Sequence, residues 1–345
     1  MSPFYVIYTD LTRLPYLFNN ALFLIYTDKS KAEQVAAHYT NQFKIPFTTL
    51  KVDNSTGDYF ALPYVCGLHQ FIVDGGKLIF SLDEVYLNEK SNYGQINPTL
   101  NLSMIVLTQY LYLKDAGYQY NPRVADSLFA PIIDALENST LLLPINTKQE
   151  GTLSDGFSVP FITKRDGSKW VPLFTDQFAA NQYFRKPQST LTETFESQYH
   201  VAVKNDSSVA GIMLNPTREQ VEFDRRKIEL CIEDWKDKAL CTEEHDIEGR
   251  SVRIGDPEDA KSVQDWARKL FESVPAVTKA YLRYLLMDNQ VSYLLLVVMD
   301  GEKSLLLSKI RTSDLSVLQG RFIDTVLLDD TTKELAGKAE PFFQK

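Results

Sequence analysis

The sequence predicts an α+β protein of several domains: two related N-terminal modules of α/β type, with mixed sheets, hairpins and packed helices, then a C-terminal α+β module. Three observations point there. Strand-like runs rich in aromatic and β-branched residues alternate with stretches of helical period along the chain. The 345 residues exceed a single domain of roughly 100–200 residues. Finally, Ile25-Tyr26-Thr27-Asp28, with Ala32 behind it, returns as Leu173-Phe174-Thr175-Asp176, with Ala179 behind it, as a repeated unit would. Cuts near residues 119 and 246 divide the chain into modules 1–118, 119–245 and 246–345.

In the first module, Phe4–Tyr8 and Ala21–Tyr26 read as strands. Thr27-Asp28 offers a hydroxyl and a carboxylate to cap a helix with body Lys31–Tyr39, and Ile45–Val52 is a further strand. Phe71-Ile72-Val73 and Leu78-Ile79-Phe80 flank Asp74-Gly75-Gly76, a hairpin signal because glycine supplies positive φ. Leu100–Leu113 is a closing helix, and Asn121-Pro122 resets the chain.

The second module opens with the helix Ala125–Leu136 and the apolar run Leu141–Ile145. Phe157–Thr163 and Lys169–Phe174 form a hairpin across Asp166-Gly167, and Thr175-Asp176 precedes the helix Gln177–Phe184. Val201–Val203 and Ala210–Leu214 read as short strands, and Asn215-Pro216 as a turn. Asp224 caps a helix through Trp235 with Ile228, Cys231, Ile232 and Trp235 on one stripe. The repeat extends here: Cys66-Gly67-Leu68 leading to Phe80 matches Ala210-Gly211-Ile212 leading to Phe223. Because Ile7-Tyr8-Thr9-Asp10 also carries the tetrad, the order of elements bears more weight than the tetrad.

In the third module Ser251–Ile254 is a strand and Glu258–Phe271 a helix with Val263, Trp266, Ala267, Leu270 and Phe271 on one face. Val277–Met287, Val291–Met299 and Ser304–Ile310 read as strands, the last two joined as a hairpin by Asp300-Gly301. Thr325–Leu328 and a short helix from Thr331 complete the unit.

The charge is acidic, with 36 basic against 45 acidic side chains and a net of -9. That balance argues against nucleic acid, whose phosphates need clustered Lys and Arg in excess. Glu229–Glu248 alone holds eight acids against Lys236 and Lys238, and reads as a solvated helix face running into a tether. Three cysteines cannot build a disulfide framework and fit a reducing compartment. The start Met-Ser-Pro-Phe-Tyr lacks the basic and apolar regions of a secretory signal, and Tyr293–Met299 is too short to span a bilayer. The expectation is a cytoplasmic protein with no membrane partner.

Leu141-Leu142-Leu143-Pro144-Ile145, Val171-Pro172-Leu173-Phe174-Thr175-Asp176 and Gly211-Ile212-Met213-Leu214-Asn215-Pro216 together resemble the N-terminal domain of the SseB (enhanced serine sensitivity) family. Val252-Arg253-Ile254-Gly255-Asp256-Pro257, Ala280-Tyr281-Leu282 and Pro341-Phe342-Phe343 resemble its C-terminal domain. The resemblance covers roughly residues 135–345 and leaves 1–118 to the repeat alone. It implies a bacterial, cytoplasmic setting and a regulatory or accessory role linked to a growth phenotype with serine. It brings no catalytic residue, cofactor or metal.

The residues themselves agree. Nucleophilic catalysis needs a base beside a Ser or Cys, and the bases that titrate near neutrality are His38, His69, His200 and His245. No Gly-x-Ser-x-Gly elbow or phosphate loop accompanies them. Cys66-x-x-His69 and Cys241-x-x-x-His245 together make a Cys2His2 set with spacings zinc accepts, but they fall in different modules and read as chance pairs. Asp83-Glu84, Glu243-Glu244 and Asp329-Asp330 read as solvated caps. The expectation is therefore no catalytic, cofactor or metal residue, and a protein partner that the surplus of Tyr and Phe would suit. The alternative is an enzyme acting on a small metabolite in an inter-module cleft near Cys66 and His69.

Overall fold

Strand ends and helix caps set the first sheet. The computed structural model describes residues 3–9, 17–18, 22–52, 64–67, 70–76, 78–81, 97–115, 117, 120–146, 158–184, 189–247 and 249–345. The chain divides into two compact units, 1–228 and 229–345. In the first, β1 (Phe4–Thr9), β2 (Leu17–Phe18) and β3 (Leu22–Tyr26) precede Asp28, whose side chain accepts from Lys31 N at 3.1 Å and starts α1 (Lys29–Phe43). Next come β4 (Phe47–Val52), β5 (Gln70–Val73) and β6 (Leu78–Ser81). Asp74, Gly75 and Gly76 turn between the last two at φ of 52°, 79° and 104°, so the glycines serve the hairpin as expected. The strand order is β4-β1-β3-β5-β6, with β2 on β3, and β3 runs parallel to β5. α2 (Pro98–Asp115) and α3 (Pro122–Glu137) come next and pack on each other.

The same construction returns. β7 (Thr140–Pro144) pairs with β10 (Thr190–Thr194), and β8 (Ile162–Thr163), β9 (Lys169–Leu173), β11 (Val209–Leu214) and β12 (Val221–Asp224) form a sheet in the order β12-β11-β9-β8. α4 (Gln177–Phe184) lies between β9 and its parallel partner β11, as α1 and β4 lie between β3 and β5. The correspondence reaches single hydrogen bonds. Asp74 N donates to Ile25 O and Asn215 N to Leu173 O, both at 2.9 Å. Thr27 N donates to Asp74 Oδ1 and Thr175 N to Asn215 Oδ1, both at 3.1 Å. Asp74 and Asn215 both take positive φ, 52° and 42°. Phe80 pairs with Phe71 and Phe223 with Ile212, so Phe80 and Phe223 correspond, but Gly211 lies on β11 while Gly67 ends a helical turn before β5. That part of the sequence match is displaced.

Val201–Val203 is not a strand. α5 (Phe195–Tyr199) runs into a π-helix, His200–Lys204, which places Ala202 and Val203 in the interior with Phe195 and Tyr199. Thr194 caps the start, and the Arg225 guanidinium closes the end by donating to Val203 O and Lys204 O. Burial on one helical face and a captured C-terminus outweigh the β preference of two valines. α6 (Arg225–Leu240) comes after β12, begun by Asp224 Oδ1 accepting from Lys227 N at 2.8 Å, with Ile228, Cys231, Ile232 and Trp235 all buried. The division between the units falls inside it.

The second unit has the order β13-β14-β15-β16-β17, from β13 (Glu243–Ile247), β14 (Arg250–Gly255), β15 (Val277–Met287), β16 (Gln290–Met299) and β17 (Ile323–Leu327), with β18 (Phe343–Gln344) on β15. α7 (Lys261–Glu272) and α8 (Lys303–Thr312) add Val263, Ala267, Phe271, Leu306 and Ile310 to its main core. Two expectations are corrected. Ser304–Ile310 is helical: Leu and Lys are good helix formers, and Leu306 and Ile310, four apart, are buried while Leu305 is half exposed. Consequently Asp300-Gly301 leads into a helix rather than a hairpin, and β16 pairs with β17 in parallel. The acidic tether includes an edge strand, Glu243–Ile247, in which Glu244 and Asp246 face solvent and the residues between are half-buried. Charged side chains suit such an edge because they discourage further pairing.

Candidate functional site: a buried charged cluster

Two strands of the second sheet, β9 and β11, end side by side, and the residues after each are polar. Thr175-Asp176 come after β9 and Asn215 to Glu219 after β11, yet Thr175, Asp176 and Glu219 are fully buried and Asn215 is 1% exposed. Asp176 begins α4, its Oδ1 accepting from Ala179 N at 2.8 Å. Its Oδ2 accepts from Thr175 Oγ1 at 2.8 Å, from Asn101 Nδ2 at 3.1 Å and from Arg218 Nη2 at 3.2 Å. Arg218 grips Glu219 through Nε and Nη2, each at 2.5 Å, a bidentate fork that also fixes the plane of the guanidinium. Asn215 donates to Glu219 Oε1 and, at 2.8 Å, to Thr175 Oγ1.

Asn97 and Asn101 bring α2 into this cluster. Asn97 Nδ2 donates to Thr140 O at 2.8 Å and Thr175 O at 2.7 Å, and Asn101 Nδ2 also donates to Val65 O at 2.9 Å. The polar side chains thus tie the first sheet's closing helix to the second sheet, all inside the first unit. Burial works against the Arg218 charge, but the Glu219 and Asp176 carboxylates outweigh it and raise its pKa. The ring of Phe178 lies 5.7 Å from the guanidinium carbon. Arg218 Nη1 has no hydrogen-bond partner among the described residues.

Chemically this arrangement holds rather than reacts: the carboxylates are committed to N–H and O–H donors, and the guanidinium is permanently charged. Cys66 belongs to the apolar cluster of Val6, Ile25, Val65, Phe71 and Ile105, and burial pushes its thiol pKa well up, away from the nucleophilic thiolate. His69 and Asp83-Glu84 lie outside the described residues. Cys241 is fully buried, its thiol pushed up to about 11 by burial, and belongs to the second unit with His245. Among the described residues no group of three or more His, Cys, Asp or Glu is arranged to hold a metal ion.

Two further arginines anchor the second unit. Arg283, its side chain 1% exposed, donates to Asp256 Oδ1 and Glu243 Oε2, both at 2.7 Å. Its hydrogen bond holds the Glu243 carboxyl below the usual range. Gly337 (φ 53°) crosses so close that an added Cβ would lie 2.6 Å from Arg283 Nη1. Arg321 pairs with Asp237, donates to Tyr284 Oη at 2.8 Å and stands over the Tyr284 and Tyr293 rings. Of the paired acids, Glu243 is partly exposed and pairs with Arg283, and Asp329 is an exposed cap that accepts from Thr331 and Thr332, whose bonds, Thr331's hydroxyl foremost, lower it to about 2.

Asn101, Arg218 and Glu219 are not legible as a group in the sequence. A polar run, Thr217-Arg218-Glu219-Gln220, directly after a buried strand end is the available signal, and it reads as an ordinary solvated turn. In the comparisons, a family model described as SseB protein N-terminal domain matches residues 126–230, and one described as SseB protein C-terminal domain matches 247–345. No curated protein and no solved structure matches the chain. No helix among the described residues is long and apolar enough to cross a membrane.

Proposed function

We propose, for a chain that belongs to the SseB family through both of its matched domains, a non-enzymatic role: it binds a protein partner and acts as a regulatory component linked to amino-acid, specifically serine, stress in the bacterial cytoplasm. The observation that carries the reading is the closed Arg218 cluster. Among the described residues of the first unit this cluster gathers charged and amide side chains and turns them inward, with Asp176 and Glu219 at 0% side-chain exposure. A site built for turnover leaves a reacting group open to substrate and tunes it toward neutrality. Here the buried thiol of Cys66 is moved the other way. Such a cluster instead fixes the geometry of two sheets, which is what a binding scaffold requires.

The test is purification of the tagged full chain from its native cell, with mass spectrometry of the proteins and small molecules that come with it, and then reconstitution from purified components. The reading expects one protein recovered near equimolar ratio that rebinds the purified chain. A metabolite consumed by the purified chain, with no protein that rebinds, would overturn it.

A further inference from the structure

β15 is paired along one side by β16, but its other side is shared. β14 takes the stretch Tyr284–Leu286, while β18 takes only Lys279 and Ala280, opposite Gln344 and Phe343. The segment 341–345 is seated there as a separate extended piece. Phe342 and Phe343 pack on the main core of the second unit, their rings 6.2 and 5.0 Å from that of Phe271. Arg268 donates from Nε at 3.1 Å and Nη2 at 3.0 Å to the Phe342 carbonyl, and Lys345 N donates to Thr278 O at 3.0 Å. This is strand addition to a sheet edge, performed by the chain on itself, with backbone bonds for affinity and an aromatic pocket for selectivity.

We propose that this edge of β15, with the Phe271 pocket and Arg268 beside it, is a docking site for an extended segment of a partner protein carrying two adjacent aromatic residues, and that residues 341–345 are its built-in competitor. The seated segment displays the chemistry that the site accepts. It is also weakly tied: two residues in register, both phenylalanines only half-buried, so it opens at far lower cost than the core strands. A second copy of this chain is the poorer occupant. In a second copy the same segment is already seated on that copy's own edge and must leave it before it can dock, a cost that a partner's free segment does not bear. The inference rests on the binding role proposed above and gives that role a surface.

The experiment is a titration of a fluorescently labelled peptide, Pro-Phe-Phe-Gln-Lys, against the purified full chain and two variants. Phe342→Ala/Phe343→Ala empties the pocket of its own rings. Lys345→Pro removes the N–H that donates to Thr278 O without touching the core, and serves if the double variant folds poorly. Freeing the site removes the fraction of time it is self-occupied, so both variants are expected to bind roughly tenfold or more tightly than the unaltered chain. A peptide with serine in place of both aromatics should not bind. Equal binding by all three proteins, equal binding of the serine peptide, or no binding at all would overturn the proposal, as would a dimer formed by exchange of residues 341–345 without peptide binding. Because the measurement uses purified chain and peptide, its failure would leave the capture of a partner elsewhere on the molecule standing.

Discussion

Arg218 shows how much one side chain decides. It carries the positive charge of the first unit's buried cluster, and it neutralises Glu219 while steadying Asp176. Removing one member of a buried ion pair strands the other, so Arg218→Ala is expected to cost about 3–5 kcal/mol in a denaturant titration. Arg218→Lys should recover little of that, since an ammonium cannot make the fork to Glu219. A loss below about 1 kcal/mol, the scale of an exposed pair, would show that the cluster is wet. The thiols give a second expectation at this scale. All three cysteines are buried and unbridged, so iodoacetamide near neutral pH should leave the folded chain unmodified and add three groups once it is unfolded. Cys241 keeps its proton up to about 11 in the fold. Between the ordinary thiol range and that value the unfolded state binds fewer protons, so the contribution of this thiol to stability falls as pH rises through the window.

Among elements, the chain is legible where periodicity, caps and turns agree. Asp28, Asp224 and the Asp74-Gly75-Gly76 turn name their helices and hairpin because cap and turn chemistry is local, and the structure uses each as read. Legibility ends where partners are distant. Val201–Val203 looks like a strand until Arg225, remote in sequence, closes the carbonyls of a π-helix. Ser304–Ile310 contains three consecutive leucines, and burial at Leu306 and Ile310 with Ser308 between them exposed, a four-residue spacing that a period of two does not give, decides for a helix. That choice is measurable: Leu306→Ala should cost about 2–5 kcal/mol and Leu305→Ala under about 0.5 kcal/mol. Similar costs at both positions would speak for a strand buried on two faces. The charged cluster is illegible for the same reason, since Asn101 lies on α2, Asp176 at the start of α4 and Arg218 in the loop after β11, and no local rule links them.

For the whole molecule, the acidic balance and the repeat take on definite meaning. Of the net -9, α6 carries none, since its five bases outnumber its four acids, whereas β13 carries Glu243, Glu244 and Asp246 with no Lys or Arg, a charge that discourages further pairing at that sheet edge. The repeat holds at the Thr–Asp step and its Asp74 or Asn215 partner, yet the copies end differently. In the first copy Lys31 Nζ donates to Asp74 O at 2.9 Å beside an exposed Thr27 and Asp28. In the second, the loop after β11 is longer, because β11 and β12 are joined through Asn215 to Gln220, and it folds Arg218 inward. One copy thus became the place where the two sheets are joined. The central claim is that this joint holds a binding scaffold together and performs no chemistry of its own. It is tested most directly by replacing Asp176, Arg218 and Glu219 together with apolar residues of similar size, and measuring rebinding of the purified partner by the folded variant. Well-packed apolar substitutes for a buried ionic group are often neutral or stabilising, so the account predicts a folded protein that binds the partner as the unaltered chain does. A variant equally folded and stable that no longer binds, or that has lost a turnover the unaltered chain performs, would contradict it.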